Sequence, residues 1–220
     1  MMATDQKVGG SNPLGRSIFN NHNSLNSELV VVFLLKGKVW GMESFDLYDI
    51  HRHRTGLTIE RGTKVPEGYY RLVVHVCVFG SDGRMLIQKR QPFKSGWSGM
   101  WDITAGGSAV AGDTSQEAAS RELLEEVGID YSLKGIRPAM TIYFDGGFND
   151  IYTVNMDVDI DSLNLQPSEV EQVKWATEEE ILEMLKEKEF VLYKTSFISL
   201  LFFLRNHNGT FTHKDPTKKK

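Results

Sequence analysis

The sequence predicts an α/β fold in which a mixed β-sheet is covered on both faces by helices. Three observations carry that expectation. β-Branched or alternating segments recur between turn residues, as at Arg71 to Phe79 and Arg84 to Arg90. Two stretches open in the manner of a capping box, Thr114-Ser-Gln-Glu117 and Thr177-Glu-Glu-Glu180. Strands that alternate with such helices form a layered sheet, and 220 residues with 40% apolar and 25% charged side chains suit one domain with extensions.

In chain order, residues 1–28 are rich in Asn, Ser and Gly without apolar periodicity, which predicts disorder. Leu29 to Leu35 is a continuous apolar run, too short for a bilayer that needs about 20 residues. No basic region, long apolar core and small-residue cleavage site follow one another as in a signal peptide. Residues 1–41 are therefore expected to be a disordered extension or a misassigned start, with a helix or stray strand at 29–35 as the alternative. Residues 42–205 are expected to form the folded domain and residues 206–220 a flexible, lysine-ended tail.

From Met42 the signals are strands. Phe45 to Ile50 and Leu57 to Arg61 flank a glycine-containing turn, His51 to Gly56, whose two histidines lack a companion at ligand spacing and read as solvated. Arg71 to Phe79 and Arg84 to Arg90, joined by Ser81-Asp-Gly83, read as a central hairpin. Gln88 and Arg90 at its end could reach a diphosphate or a base. Gly96 to Asp102 reads as a tight loop, with Trp97 or Trp101 as a wall of the pocket. Strands are expected at Pro138 to Phe144 and Asp150 to Val158, separated by Asp145 to Asn149, and near Glu169 to Trp175. Helices are expected over Glu178 to Lys188 and Phe197 to Leu204.

The net charge of −4 gives no general attraction to nucleic acid or anionic membrane. The single cysteine, Cys77, excludes an intrachain disulfide and suits a reducing, cytoplasmic compartment.

The helix expected over Ser115 to Val127 and stopped by Gly128 carries the chemistry. Glu122, Glu125 and Glu126 stand at i, i+3 and i+4, so three carboxylates share one face near the C-terminal end, where the helix dipole disfavours negative charge. Mg²⁺, which takes oxygen ligands and leaves room for substrate phosphates, is the natural counterion. Ala119, Leu123 and Val127 form the apolar stripe of the same helix.

The stretch Gly107 to Ile129 resembles the Nudix box: a glycine, five residues, Glu, seven residues, Arg-Glu, an aliphatic, any residue, Glu-Glu, any residue, Gly, an aliphatic. Gly107, Arg121, Glu122, Leu123, Glu125, Glu126, Gly128 and Ile129 match, and Asp113 stands where the family has Glu. The run from Phe45 to Leu192 is similar to the subgroup close to isopentenyl diphosphate isomerase.

The resemblance implies a Nudix α/β/α sandwich with a mixed sheet and a loop-helix-loop catalytic motif. It implies that Glu122, Glu125, Glu126 and the Gly106 carbonyl hold Mg²⁺, or Mn²⁺, and that Arg121 orients the acids, with Gly107 on the substrate side. The implied activity is metal-dependent hydrolysis of a nucleoside diphosphate linked to another group, with Glu126, Glu169 or Glu171 as base. The implied partner is a small diphosphate, with no nucleic acid or membrane and with a homodimer admitted. Two alternatives stand beside it. The related isomerases carry a cysteine immediately ahead of the box, where this chain has Gly106, and a non-cleaving nucleotide sensor usually loses box acids that are kept here.

Asp113 is expected to act at the helix start, because Asp is a strong N-cap and Asp113 with Gln116 forms a competing capping box. Arg121 is then expected to be held by the glutamates of its own helix.

Overall fold

A computed structural model of the protein describes residues 43–206. The expected extension, residues 1–41, and the tail beyond Asn206 lie outside the described residues. Nine strands are described: β1 (Ser44–Tyr48), β2 (Arg54–Glu60), β3 (Arg71–Phe79), β4 (Met85–Arg90), β5 (Trp101–Asp102), β6 (Ala105–Ser108), β7 (Met140–Phe144), β8 (Gly147–Asn155) and β9 (Val170–Ala176). The helices are α1 (Ser115–Val127), α2 (Glu178–Lys186) and α3 (Thr195–Leu204). Among the described residues, no helix is long and apolar enough to cross a membrane.

The main sheet runs β5-β4-β3-β8-β7, with β6 also on β3 and β9 also on β4. It is mixed, as expected: β3 and β8 are parallel from Arg71↔Gly147 to Phe79↔Asn155, and the other pairs are antiparallel. Alternation along β3 sends Val74, Val76 and Val78 to one face, where they meet Ala118, Ala119, Leu123 and Val127 of α1. Cys77 and Phe79 go to the other, against Ile181 and Met184 of α2 and Ile198, Leu201 and Phe202 of α3. Each fully buried aliphatic contributes about 1.5–3 kcal/mol, so the two faces close comparable cores.

The expected central hairpin splays. β3 and β4 pair only at Phe79↔Met85, and the chain that returns through β5 and β6 fills the gap, β5 on β4 and β6 on β3. Thr104 sits in the fork, its hydroxyl accepting the Val78 N–H (2.9 Å) and donating to the Leu86 carbonyl. This wedge delivers the glycines of β6 beneath α1.

Two turns differ from expectation. Between β1 and β2 the reversal is made by Asp49, whose Oδ1 accepts the N–H groups of His51 and His53 at 2.9 and 2.8 Å, while Gly56 lies inside β2. The β7–β8 connection shrinks to Asp145 and Gly146, because Gly147, Phe148 and Asn149 are already paired to both neighbours.

Candidate active site

α1 begins as the sequence requires. Thr114 Oγ1 accepts the Glu117 N–H at 3.2 Å and Glu117 Oε2 accepts the Thr114 N–H at 2.8 Å, completing the capping box. Gly128, at φ 74, ends the helix in a left-handed turn that costs other residues strain. With the apolar stripe against β3, Glu122 and Glu126 fall one turn apart on the flank over β6, and both are buried.

The backbone beneath them has no side chains to spare. A Cβ on Gly107 would collide with the Glu122 carboxylate, and a Cβ on Gly106 would collide with the His75 ring on the opposite side. Glu126 Oε2 accepts from the Gly106 N–H at 3.0 Å and from Gln88 Nε2 at 2.9 Å. Burial first, and the neighbouring Glu122 carboxylate second, push the Glu126 carboxyl up to about 8. Burial also raises Glu122, against the opposing pull of Arg121.

Arg121 is the hub. Its Nη1 donates to Glu122 Oε1 (2.9 Å) and Glu125 Oε2 (3.3 Å), its Nη2 to the Ser108 carbonyl (3.2 Å), and its Nε to Asp113 Oδ2 (3.2 Å). The last contact corrects the expectation for Asp113. Thr114 is the N-cap, and Asp113 reaches Arg121 because a turn, Asp113 N–H to the Val110 carbonyl (3.0 Å), folds the chain back over the first turn of the helix. The expected hold by Glu122 and Glu125 is also present.

A profile of the NUDIX domain matches residues 69–213. The chain belongs to the Nudix family. An uncharacterized Nudix hydrolase of Listeria monocytogenes is 43% identical over 165 residues, 75% of this chain and 96% of that protein. A homologue in Listeria innocua is 41% identical over the same shares. The crystal structure of DR0079 from Deinococcus radiodurans has the same fold, with a TM-score of 0.57 at 24% identity over 72% of this chain and 97% of that one. The chain is thus a Nudix hydrolase, of a family that acts on pyrophosphate-containing small molecules and generally needs a divalent metal.

The Nudix box of this chain fits such an ion in its chemistry. Each helix glutamate has one oxygen engaged by a protein donor, Glu122 Oε1, Glu125 Oε2 and Glu126 Oε2, which leaves three hard oxygens without one. With both acids ionised, the buried Glu122–Glu126 pair carries two negative charges, of which only Glu122 touches Arg121. Among the described residues, no three such groups are gathered closely enough to hold an ion.

Other expected residues are placed differently. Gln88 is buried and engaged with Glu126, so it braces an acid instead of presenting its amide to substrate. Arg90 Nε donates to the Gly96 carbonyl at 3.1 Å and fastens the loop after β4. Trp101 packs on the α2–α3 face with Lys174 Nζ 4.5 Å above its ring, away from the acids, and Trp97 is half exposed in a left-handed turn. Glu169 is paired with Lys94 (2.6 Å) and Glu171 with Lys89 (3.1 Å). His53 is exposed, with Nδ1 3.4 Å from Asp49 Oδ2 and its ring 6.2 Å from that of His51. Sequence reasoning missed Glu43, an acid near enough to Glu122 to raise it, because nothing in a lone Glu before a strand marks it.

Proposed function

We propose that the chain hydrolyses the diphosphate of a nucleoside diphosphate linked to another group, using Mg²⁺ or Mn²⁺ held by Glu122, Glu125, Glu126 and the Gly106 carbonyl. The observation that carries this reading is the buried, cation-poor glutamate pair lying directly on the Gly106–Gly107 backbone. When bound, the ion supplies Lewis acidity to the diphosphate oxygens and acidifies a water. The protein's part is positional. Arg121 fixes the Glu122 and Glu125 carboxylates, and Gly107 keeps the backbone open beside them. Gln88 and the Gly106 N–H hold one oxygen of Glu126 and leave the other without a protein donor. Glu126 is favoured as the proton acceptor over Glu169 and Glu171, which are both spent on lysines. The catalytic unit is taken to run over residues 42–205, in a cytoplasmic setting.

An isomerase reading finds no support at residue 106, where the His75 ring occupies the space a cysteine would need. The test is release of phosphate, nucleoside monophosphate or pyrophosphate over nucleotide sugars, dinucleotides, nucleoside triphosphates and isopentenyl diphosphate, with and without Mg²⁺. Cleavage confined to isopentenyl diphosphate, or undiminished in chelator, defeats the proposal.

A further inference from the structure

The box supplies acids but nothing that would recognise the rest of a substrate. A cavity of about 430 Å³ lies beside it, between the β1–β2 hairpin and the β7–β8 turn, walled by Phe45, Ile59, Lys64, Val65, Arg71 and Phe144. Its size falls in the range of small-molecule sites, which are mostly apolar with a few convergent polar groups. Phe45 and Ile59 are buried parts of the hairpin's own small core, whereas Phe144 is 39% exposed on the wall.

Two chains of contact tie this cavity to the acids. Arg71 Nη1 donates to Ser108 Oγ at 2.8 Å, and the carbonyl of that same Ser108 accepts from Arg121. Ser108 directly follows Gly107, on which the Glu122 carboxylate rests. On the other side Arg61 lies over the Phe45 ring, 5.4 Å from its centroid, and is paired with Glu43, the acid that acts on Glu122.

The charge in the cavity is lopsided. Among the described residues no carboxylate forms an ion pair with Arg71, whose guanidinium is half-buried 5.7 Å from the Phe144 ring centroid and has Arg61 as its charged neighbour. Lys64 is the second cation on the lining and Asp145 the acid there, while Arg61 lies off the lining and is paired with Glu43. A half-buried guanidinium without an acid, bonded to Ser108 beside the Gly106–Gly107 backbone, matches a phosphate oxygen by charge and fork geometry. The aromatic walls and the exposed Gly62 backbone suit a flat, hydrogen-bonding ring better than a flexible hydrocarbon, for which cations on the lining would be a cost.

Building on the diphosphatase reading above, we propose that this cavity binds the nucleoside end of the substrate, with Arg71 and Lys64 on the adjoining phosphate and the base between Phe144 and the hairpin. Arg71, Lys64 and Phe144 are then the residues that set substrate choice.

The experiment measures kcat and KM on whichever nucleoside diphosphate derivative of the panel is cleaved, for wild type and for Arg71→Met, Lys64→Met and Phe144→Ala. Lys134→Met, a cation in a separate cavity beside α1, is the control. Calorimetric titration of the full chain with ADP, CDP, GDP, UDP and inorganic pyrophosphate runs in parallel. Arg71→Met should raise KM about 10- to 100-fold with kcat within threefold, as loss of a charge-assisted hydrogen bond made equally in ground and transition states would. Phe144→Ala should weaken nucleoside diphosphates and leave pyrophosphate unchanged, and Lys134→Met should alter neither. If Arg71→Met lowers kcat with KM unchanged, Arg71 acts through Ser108 on the box and the pocket assignment falls. If it does not fold, Lys64→Met and Phe144→Ala, both on exposed side chains, decide the matter by the same KM criterion. A wild type that cleaves nothing in the panel counts against the diphosphatase reading alone, since binding of a nucleoside diphosphate that Phe144→Ala weakens still supports the cavity. Wild-type affinity equal for pyrophosphate and all nucleotides overturns it.

Discussion

The two faces of the central sheet are built from alternate residues of the same strands, yet they handle acid in opposite ways. On the α2–α3 face a buried carboxyl, Asp102, is raised by burial and is surrounded by donors, the Tyr193 hydroxyl at 3.0 Å and the Ile103 N–H at 2.8 Å. It is a satisfied polar group inside an apolar layer. On the α1 face Glu122 and Glu126 are buried within a turn of each other, and the Glu122 carboxylate adds to the burial cost of charging Glu126. A fold could avoid that repulsion with one methionine. The face that carries this pair also carries the two side-chain-free glycines, and it is the face on which the proposed cation would sit.

The largest expected break in the comparison is catalytic. Glu126→Gln keeps the shape and one hydrogen-bonding oxygen but removes the charge, and kcat should fall at least about a hundredfold with an unchanged circular dichroism spectrum. Asp102→Asn should leave kcat within a few fold, because its hydrogen-bond partners are a hydroxyl and an N–H on the far face and its charge is the smallest of the influences named on Glu126. Comparable losses in both variants would erase the distinction between the faces.

Packing should be symmetrical where acid is not. Leu123→Ala on α1 and Ile181→Ala on α2 each delete a fully buried aliphatic side chain, and each should cost about 2–5 kcal/mol in urea unfolding. A much smaller cost for Leu123 would mean that α1 is held by its charges more than by its stripe.

The pH response separates the faces further. Glu126 has a folded-state pKa of about 8, above the ordinary carboxylate value. Its protonated form therefore favours the folded state, and this contribution is present in acid and lost as pH rises from the ordinary value through about 8. Chelated wild type should lose on the order of a few kcal/mol between pH 5 and 9. Glu126→Gln should lose less Tm over that window, with only the burial-raised Glu122 and Asp102 left to titrate, and Mg²⁺ should rescue the wild type at pH 9 but not the variant. A chelated wild type with a flat profile would show that Glu126 is not charged in a buried site.

Much of this was legible in the chain. α1 runs from Ser115 to Val127 with the expected cap and stop, because a capping box, an apolar stripe and a terminal glycine are local signals that agree. The splay of β3 from β4 was not legible: the turn at Ser81 to Gly83 announces a hairpin, and only the return of β5 and β6 into the gap, a long-range event, opens it. The short β7–β8 turn was hidden for a similar reason, since Gly147 looks like loop until β3 pairs with it. In the site, residue identity was readable and partnership was not. Gln88 stood out as a polar group on a core strand, but that its partner is Glu126 and not a ligand depends on where α1 lands.

The smallest expected effect tests the residue at which the box departs from its pattern. The short reach of Asp113 argued for a capping role, since its partner lies eight residues on and the direct helical rise between them is about 12 Å. The turn at Val110 removes that distance, and the carboxylate meets Arg121 Nε at 3.2 Å with both side chains about a quarter exposed. A pair so open to solvent contributes about 0–1 kcal/mol, less than a lost N-cap would cost, and that cap belongs to Thr114. Arg121 would also keep Glu122, Glu125 and the Ser108 carbonyl after the pair is cut. Asp113→Ala should therefore reduce stability by no more than about 1 kcal/mol and kcat by less than tenfold, while Thr114→Ala should be the more destabilising of the two. Measuring both unfolding curves and both kcat values decides it: an Asp113→Ala enzyme as inactive as Glu126→Gln would mean that the Arg121 guanidinium loses its place without this one carboxylate, and that the three remaining contacts cannot hold the acids in order.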